Sequence, residues 1–361
     1  MIVPEQIPGP FDSRKTPPLR IRFAGVPILS ACMILQTAGN ADGRDYPTKP
    51  VRILTSTAGG ATDFAARMIG QGLSASLGQP IIVDNRAAIV SNETVSRATP
   101  DGYTLLVAGG ALWINPLLER VPYDALNDFA PITFTGRSPG ILLVHPAVAV
   151  KSVKELIALA RSKPGVLNFG TGATGGPPHL AGVLFKSMAG VNIVRVPYKG
   201  GAPALVGLMS NEVQMMFATA GSVPPQLVKS EKFKVLAVTS LQPSELFPDL
   251  PTLSASGLPG FEVVSLDVVL APSNTPAAII NRLQREIARD ISKPETRQKF
   301  FNAGVEVLGT LPQESAQYIK SDVAKWSEVL GNADKRDGRP IGPPRTERSP
   351  PEILARLERS R

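Results

Sequence analysis

Three short segments rich in glycine and small residues could together bind an anion. They are residues 57–63 (TAGGATD), 170–176 (GTGATGG) and 198–203 (YKGGAP). Each follows an apolar, strand-like run and precedes a helix-like pattern, so each would place free backbone N–H groups at the positive end of a helix dipole. A single loop of this kind is better explained by a tight turn. Three in one chain favour a shared site at the carboxyl ends of strands that face a crevice.

Three polar side chains in these loops have a structural and a functional interpretation. Asp63 could complement the dipole in the first helical turn, hold the shape of the loop, or accept a hydrogen bond from a ligand. Lys199 could neutralise an anion or be solvated, and His179 could donate to a carboxylate or cap the turn. The sequence has no G-x-S-x-G motif and no clear pair of nucleophile and base, so no catalytic residue is predicted.

The second segment also supports an alternative of another class, an NADP-dependent enzyme. The run 170–175 (GTGATG) matches the G-x-G-x-x-G pattern of dinucleotide-binding folds. The acidic residue that such folds carry about 20 positions later is absent, and Arg195, which would suit a 2′-phosphate, lies near that place. Pro177 and Pro178 argue against this alternative, because they remove N–H donors where the pyrophosphate would need them.

The composition limits the other classes of function. The chain has 361 residues, enough for two α/β domains with their own cores. One cysteine and two distant histidines exclude an internal disulfide, a cysteine cluster and an H-E-x-x-H site, so no metal is predicted. More than half of the net charge of +8 lies in residues 1–41 and 334–361, so we predict no nucleic-acid binding.

Short apolar strands alternate with amphipathic helices along the chain, which predicts an α/β fold. Ser152 and Glu155 form a capping box, Gly78 ends the helix after the first loop, and Thr275 with Pro276 should cap another helix. The last helix is predicted over residues 315–330. Strands are predicted at residues 51–55, 81–83, 104–108, 141–144, 166–169, 193–196, 213–217 and 235–239.

The two ends of the chain are predicted to lie outside the fold. Arg20 and Arg22 precede an apolar stretch that ends in small residues, so residues 1–41 indicate a secretory signal with cleavage after Ala41 and a periplasmic protein. The alternative is a lipoprotein, in which the lone Cys32 of Leu-Ser-Ala-Cys is lipidated. Residues 332–361 are basic and rich in proline, which predicts a disordered tail.

Ten short motifs, in this order, span nearly all of the part that should fold. They are Tyr46-Pro-Thr-Lys-Pro50, Gly59-Gly60-x-x-Asp63, Thr99-Pro-Asp-Gly-Tyr-Thr-Leu-Leu106, Ile114-Asn-Pro116, Pro122-Tyr-Asp124, Asp128-Phe129, His179-Leu-Ala-Gly182, Val196-Pro-Tyr-Lys-Gly200, Phe247-Pro-Asp-Leu-Pro251 and Gly257-Leu-Pro-Gly-Phe261. Together they resemble the solute-binding receptors of tripartite tricarboxylate transporters, the Bug-type family.

The resemblance implies a fold and a function. The fold would be the two-domain type II periplasmic binding protein fold (Venus flytrap), with hinge crossings near His145 and Ala271. Domain 1 would comprise residues 45–144 and 272–331, and domain 2 residues 145–271. A monomer without a cofactor would close on one small carboxylate and deliver it to the membrane subunits of a transporter. A sensor that presents the ligand to a membrane kinase, or a degenerate member that binds nothing, remains an alternative.

The resemblance also implies the ligand-binding residues. They are Ser56, Thr57, Ala58, Gly59, Gly60 and Asp63 of the first loop, Thr171, Gly172, Thr174, Gly175, Gly176 and His179 of the second, Tyr198, Lys199 and Gly200 of the third, and Ala218. Several positions depart from the family pattern, among them residues 56–58, a shortened loop after Arg86 and Gly176 with Pro177. Ala218 replaces a common aspartate, which argues against an amino acid ligand whose ammonium needs a counter-charge. Leu266 replaces a common tryptophan and is followed by an unusual Asp267.

Overall fold

The computed structural model describes residues 46–172, 174–223, 225–228 and 231–337. These residues belong to one compact unit. The predicted signal, Cys32 and residues 338–361 of the predicted tail lie outside the described residues.

The described chain is a mixed α/β structure, as predicted. Its strands are β1 (Val51–Thr55), β2 (Ile81–Asn85), β3 (Thr104–Gly109), β4 (Phe129–Val144), β5 (Asn168–Thr171), β6 (Val194–Pro197), β7 (Met215–Thr219), β8 (Lys234–Val238), β9 (Val264–Pro272) and β10 (Glu306–Val307). Its helices are α1 (Ala61–Leu77), α2 (Ala88–Ser96), α3 (Ala111–Leu118), α4 (Val153–Ser162), α5 (Pro177–Ala189), α6 (Gly201–Met209), α7 (Pro225–Val228), α8 (Ala277–Ile291), α9 (Pro294–Asn302) and α10 (Pro312–Asp337), with a 3-10 turn at Ala220–Ser222.

The long strand β4 is shared by two sets of strands. Up to Pro139 it runs antiparallel to β9, and from Gly140 it runs antiparallel to β7 and β8. The strand order is β2-β1-β3-β9-β4-β7-β5-β6. We call the set around β9 the first sheet (β2, β1, β3, β9, β10 and the start of β4). The set around β7 is the second sheet (the end of β4 with β5, β6, β7 and β8). The domain limits at residues 145 and 271 stay a prediction, while β4 changes partners at Gly140.

Two helices cover one face of the first sheet. Apolar side chains of α1 and α8, among them Ile69 and Leu283, pack on Ile53 of β1 and Val269 of β9. The opposite face belongs to a larger core that includes side chains of α3, α5 and α10. The side chains along each strand therefore point alternately into two buried faces. The glycine-rich loops follow at the carboxyl ends of the strands.

The helix ends test several local predictions. The Ser152 Oγ accepts a hydrogen bond from Glu155 N–H at 3.2 Å, which confirms the capping box. Gly78 ends α1 in the left-handed conformation with φ 67°, as predicted. Thr275 does not cap α8, because its Oγ1 donates to the carbonyl of Pro272. The last helix, α10, continues to Asp337, past the predicted start of the tail at residue 332.

No helix within the described ranges is long and apolar enough to cross a membrane.

The contact between α5 and β5 has no room for a further methyl group. A Cβ at Gly182 would overlap the ring of Phe169, which is fully buried. We expect Gly182→Ala to lower the free energy of unfolding by about 1–3 kcal/mol, because overpacking outweighs the gain in helix propensity. Gly201→Ala is the control, since a Cβ there meets nothing within 4 Å. Urea unfolding of both variants measures the difference, and equal stabilities would contradict the prediction.

Candidate functional site

The first loop (residues 56–60) connects β1 to α1 and leaves backbone donors exposed. Gly59 has φ 85°, and Gly60 is the N-cap of α1 without a side chain to bond the first amides. The Phe64 N–H bonds the carbonyl of Gly60, so the amides of residues 61–63 are the free donors of this first turn. The helix therefore begins with an uncapped, positive end.

Asp63 holds the shape of this loop. Its Oδ2 accepts from the Gly59 N–H at 2.9 Å, and its Oδ1 accepts from Asn85 Nδ2 at 2.8 Å and pairs with Arg67 Nε at 2.9 Å. Burial raises the pKa of Asp63, but the hydrogen bonds from Gly59, Arg67 and Asn85 outweigh it and lower the pKa below its usual value. Asp63 therefore stays ionised and is occupied by protein partners. Of the roles considered, the structure supports the one that fixes the backbone.

The second loop connects β5 to α5 and is tied down by an arginine from the neighbouring strand. Arg195 of β6 donates from Nε to Thr171 Oγ1 at 2.8 Å, and from Nη2 to Thr174 Oγ1 at 3.0 Å and to the Gly172 carbonyl at 3.3 Å. These three bonds occupy two side-chain hydroxyl groups and one carbonyl group of the second loop. Gly176, the N-cap of α5, has no side-chain cap.

His179 is buried in the first turn of α5 and is neutral. Its Nδ1 accepts from the Gly175 N–H at 3.1 Å, so its proton is on Nε2. Burial, reinforced by the positive charge of Arg195, lowers the pKa of His179 to about 4. At neutral pH the imidazole therefore fixes Gly175, which has φ 80°, and keeps one N–H donor.

The third loop packs directly on the second. A Cβ on Gly172 would lie 3.2 Å from the Cα of Gly200, and the Tyr198 N–H bonds the Thr171 carbonyl at 2.8 Å. The ring of Tyr198 turns inward, against Gly170 and Gly207.

The remaining predicted residues divide between the loop surface and the core. Thr57, Ala58, Thr174 and Lys199 are exposed, whereas Thr171 is buried at the end of β5. Ala218 is only 1% exposed and lies in an apolar cluster of the second sheet. Its assignment to the ligand site stays a prediction.

The junction of β3 and α3 lies between the first and second loops. A Cβ on Gly109 would lie 3.8 Å from Thr62 Cγ2, and Thr62 Oγ1 is 2.5 Å from Ser56 Oγ in the first loop. On the other side, a Cβ on Gly175 would lie 3.3 Å from Asn115 Oδ1 of α3. The structure thus brings the second and third loops into contact and places both sheets' loops around α3.

A cavity of about 40 Å³ adjoins the second loop, between α3, α5, β9 and α10. Trp113, Tyr318 and Trp326 contribute aromatic walls. The indole N–H of Trp113 donates to Asp322 Oδ2 at 2.8 Å, and Lys325 pairs with the other oxygen of Asp322 at 2.8 Å. The indole N–H, the carboxylate and the ammonium at this wall are thus paired with one another.

Sequence reasoning missed the role of Arg195. It considered this residue only as a partner for a 2′-phosphate, whereas its three hydrogen bonds go to the second loop. Gly170 and Gly172 are likewise used for close packing inside the protein, since a Cβ on Gly170 would lie 3.1 Å from Val213. The available signal was a basic residue on a strand adjacent to a glycine-rich loop. The geometry gives no support to the dinucleotide alternative.

We expect Arg195→Lys to weaken ligand binding about tenfold or more, because an ammonium cannot make the three directed bonds of the guanidinium. The control is Arg161→Lys, since Arg161 donates twice to the Ala189 carbonyl, far along α5 from the loop. Isothermal titration calorimetry measures both. Equal affinities for the two variants would show that the fixed loop shape is not needed for binding.

Comparison with known proteins places most of the described chain in one family profile. Residues 65–334 match the profile described as "Tripartite tricarboxylate transporter family receptor" (TctC). A curated relative from Pseudomonas sp. (strain P51), called "UPF0065 protein in tcbD-tcbE intergenic region", is 33% identical over 291 residues, which cover 79% of this chain and 86% of the relative.

Two solved structures are similar over nearly their whole length. Rpa4515 of R. palustris, whose structure is described with adipate, is 32% identical to this chain and superimposes with a TM-score of 0.67. The match covers 80% of this chain and 98% of Rpa4515. The periplasmic binding protein BugD has a TM-score of 0.64 and 29% identity and covers 80% of this chain and 98% of its own.

Proposed function

Because this chain belongs to the tripartite tricarboxylate transporter receptor family, we propose that it captures one small carboxylate between its two domains and delivers it to a transporter. Members of this family are solute-binding receptors, and the two-domain fold of periplasmic binding proteins, predicted from the sequence, is confirmed by the solved structures. The observation that carries the proposal is the uncapped start of α1. It lies beside the second loop, whose acceptors already bond Arg195.

The chemistry of these loops suits a carboxylate. The free amides of residues 61–63 and the end of the helix dipole favour a negative group. The second loop adds an uncapped start of α5 and the neutral imidazole of His179. A carboxylate bonded from both sides would hold the domains together and exclude water, which strengthens each charge-assisted bond. The predicted loop residues are accordingly proposed as the ligand site.

The partners follow from the same proposal. Rpa4515, a relative, is described with bound adipate, a dicarboxylate, and BugD is described as periplasmic. We infer that this protein acts as a periplasmic monomer, released by the N-terminal signal, and that its closed form docks on the membrane subunits of a tripartite tricarboxylate transporter.

Thermal-shift screening and calorimetry of residues 42–337 test the proposal. The panel contains mono-, di- and tricarboxylates, aromatic acids, amino acids and NADP. A ligand at about 100 times its Kd should stabilise the protein by about 2.7 kcal/mol, or several degrees of melting temperature. Saturable binding of a carboxylate with 1:1 stoichiometry supports the proposal. Binding of NADP alone, or of no carboxylate in the panel, overturns it.

A further inference from the structure

Asp267 is a buried carboxylate without a protein partner. It lies in β9, is 6% exposed, and its carboxylate forms no hydrogen bond or ion pair with any described residue. In the described part of the chain, the buried side-chain atoms that lack both a hydrogen bond and solvent contact are Tyr198 Oη and Ser327 Oγ. The Asp267 oxygens are not among them, so this carboxylate keeps slight contact with solvent. Native proteins rarely bury such a group without a partner.

The neighbours of Asp267 on both adjacent strands are glycines. Its register partners are Gly109 in β3 and Gly136 in β4, and neither contributes a side chain to the shared face. The space at Gly136 is closed, because a Cβ there would run into Val305 and the Glu306 backbone. A Cβ at Gly109 would lie 3.3 Å from the Leu266 carbonyl oxygen and 3.8 Å from Thr62 Cγ2, so this position is tightly packed as well. Asp267 therefore lies opposite a glycine that packs against the first turn of α1, next to the first loop.

No charge on the adjacent elements compensates Asp267. Asp63 of α1 is paired with Arg67, and Glu306 of β10 is paired with Arg137 of β4 at 2.7 Å. Burial alone raises the pKa of Asp267 to about 7. The carboxyl group can therefore be ionised near neutral pH once a cation approaches.

We propose that Asp267 is the counter-ion for an amino group of the ligand, so that the bound carboxylate is an amino acid or another amino-substituted acid. This inference rests on the proposed function, because the first loop must hold the ligand's own carboxylate. An acid without an amino group would bring two carboxylates close together, whereas an ammonium next to the bound carboxylate compensates Asp267. Asp267 of the first sheet would thus provide the counter-charge that Ala218 of the second sheet cannot.

Matched ligand pairs test the inference by calorimetry at pH 8. Each pair differs in the amino group: aspartate and succinate, glutamate and glutarate, phenylalanine and 3-phenylpropionate. We expect the amino member to bind more tightly in at least one pair, and Asp267→Asn to weaken that binding roughly 10- to 150-fold. Asp290→Asn is the control, because Asp290 is a partly buried aspartate on α8 that pairs with Lys293. It should leave every affinity unchanged.

Proton exchange gives a second readout that a loss of fold would not imitate. Titrations at pH 7 in two buffers of different ionisation enthalpy report protons released on binding. The wild type should release protons when the amino ligand ionises Asp267, and Asp267→Asn should not. Tighter binding of the acids without an amino group, with proton uptake, would overturn the inference and leave the proposed function intact. If no carboxylate binds, both are overturned.

Discussion

Replacement of Gly60 by aspartate is expected to abolish carboxylate binding and to leave the fold intact. Gly60 has φ −84° and ψ 171°, a conformation open to any residue, and a Cβ there would lie 3.5 Å from the Thr57 carbonyl oxygen. An aspartate at an N-cap accepts hydrogen bonds from the amides two or three residues later. The new carboxylate would therefore occupy the donors that the ligand uses, and affinity should fall more than about 100-fold.

Stability separates this mechanism from simple damage to the protein. Gly60→Asp should increase the unfolding free energy of the ligand-free protein by less than about 1 kcal/mol, because it caps α1. Its melting temperature should therefore rise slightly. Gly60→Ala is the matched control, since it adds a Cβ but no acceptor and should retain binding. Calorimetry and thermal unfolding of the three proteins measure the pattern. If Gly60→Asp binds the ligand as tightly as the wild type, the start of α1 is not the anion site.

Asp267→Asn is expected to make the ligand-free protein more stable at pH 8 than the wild type, but not at pH 4. Burial raises the pKa of Asp267 from 3.8 to about 7, so the folded protein binds an additional proton between these values. Because of this group, the free energy of unfolding of the wild type is highest below about pH 4 and decreases as the pH rises through 7. The wild type should lose at most about 4 kcal/mol of unfolding free energy in this way between pH 4 and pH 8. Asparagine does not ionise, so Asp267→Asn should not show this loss.

Urea unfolding of the two proteins at several pH values between 4 and 8 measures this difference. The gap in unfolding free energy should widen steadily with pH and level off above about pH 8. Asp290→Asn is the control for the general effect of removing a carboxylate, because Asp290 is paired with Lys293. Parallel pH profiles for wild type and Asp267→Asn would mean that this carboxyl group is solvated in the folded protein.

The sequence was sufficient to predict the elements with clear periodicity and marked ends. Strands β2 and β3 are where the apolar runs predicted them, and α4 begins at the predicted capping box. The start of β4 was missed, because Pro131, Gly136 and Pro139 interrupt the pattern of a strand. These residues are tolerated there because register shifts and the short strand β10 accommodate them. Such compensation comes from distant parts of the chain.

The candidate site was only partly predictable for the same reason. Local patterns located the glycine-rich loops, since a glycine run between a strand-like and a helix-like pattern is visible from neighbouring residues alone. The bonds from Arg195 to the second loop, and the position of Asp267 opposite Gly109, depend on which strands become neighbours. A sequence read without a strand order does not contain that information. Asp267 therefore drew attention only as an unusual residue.

The position of β9 has a consequence for the order of folding. This strand lies between β3 and β4, yet residues 145–263 separate it from β4 along the chain. The edges of β3 and β4 therefore cannot be joined until the polypeptide has been synthesised as far as Pro272. Such long-range pairing makes folding slow. The first sheet can close only after every strand of the second sheet has been synthesised, because β5 to β8 all precede β9 along the chain.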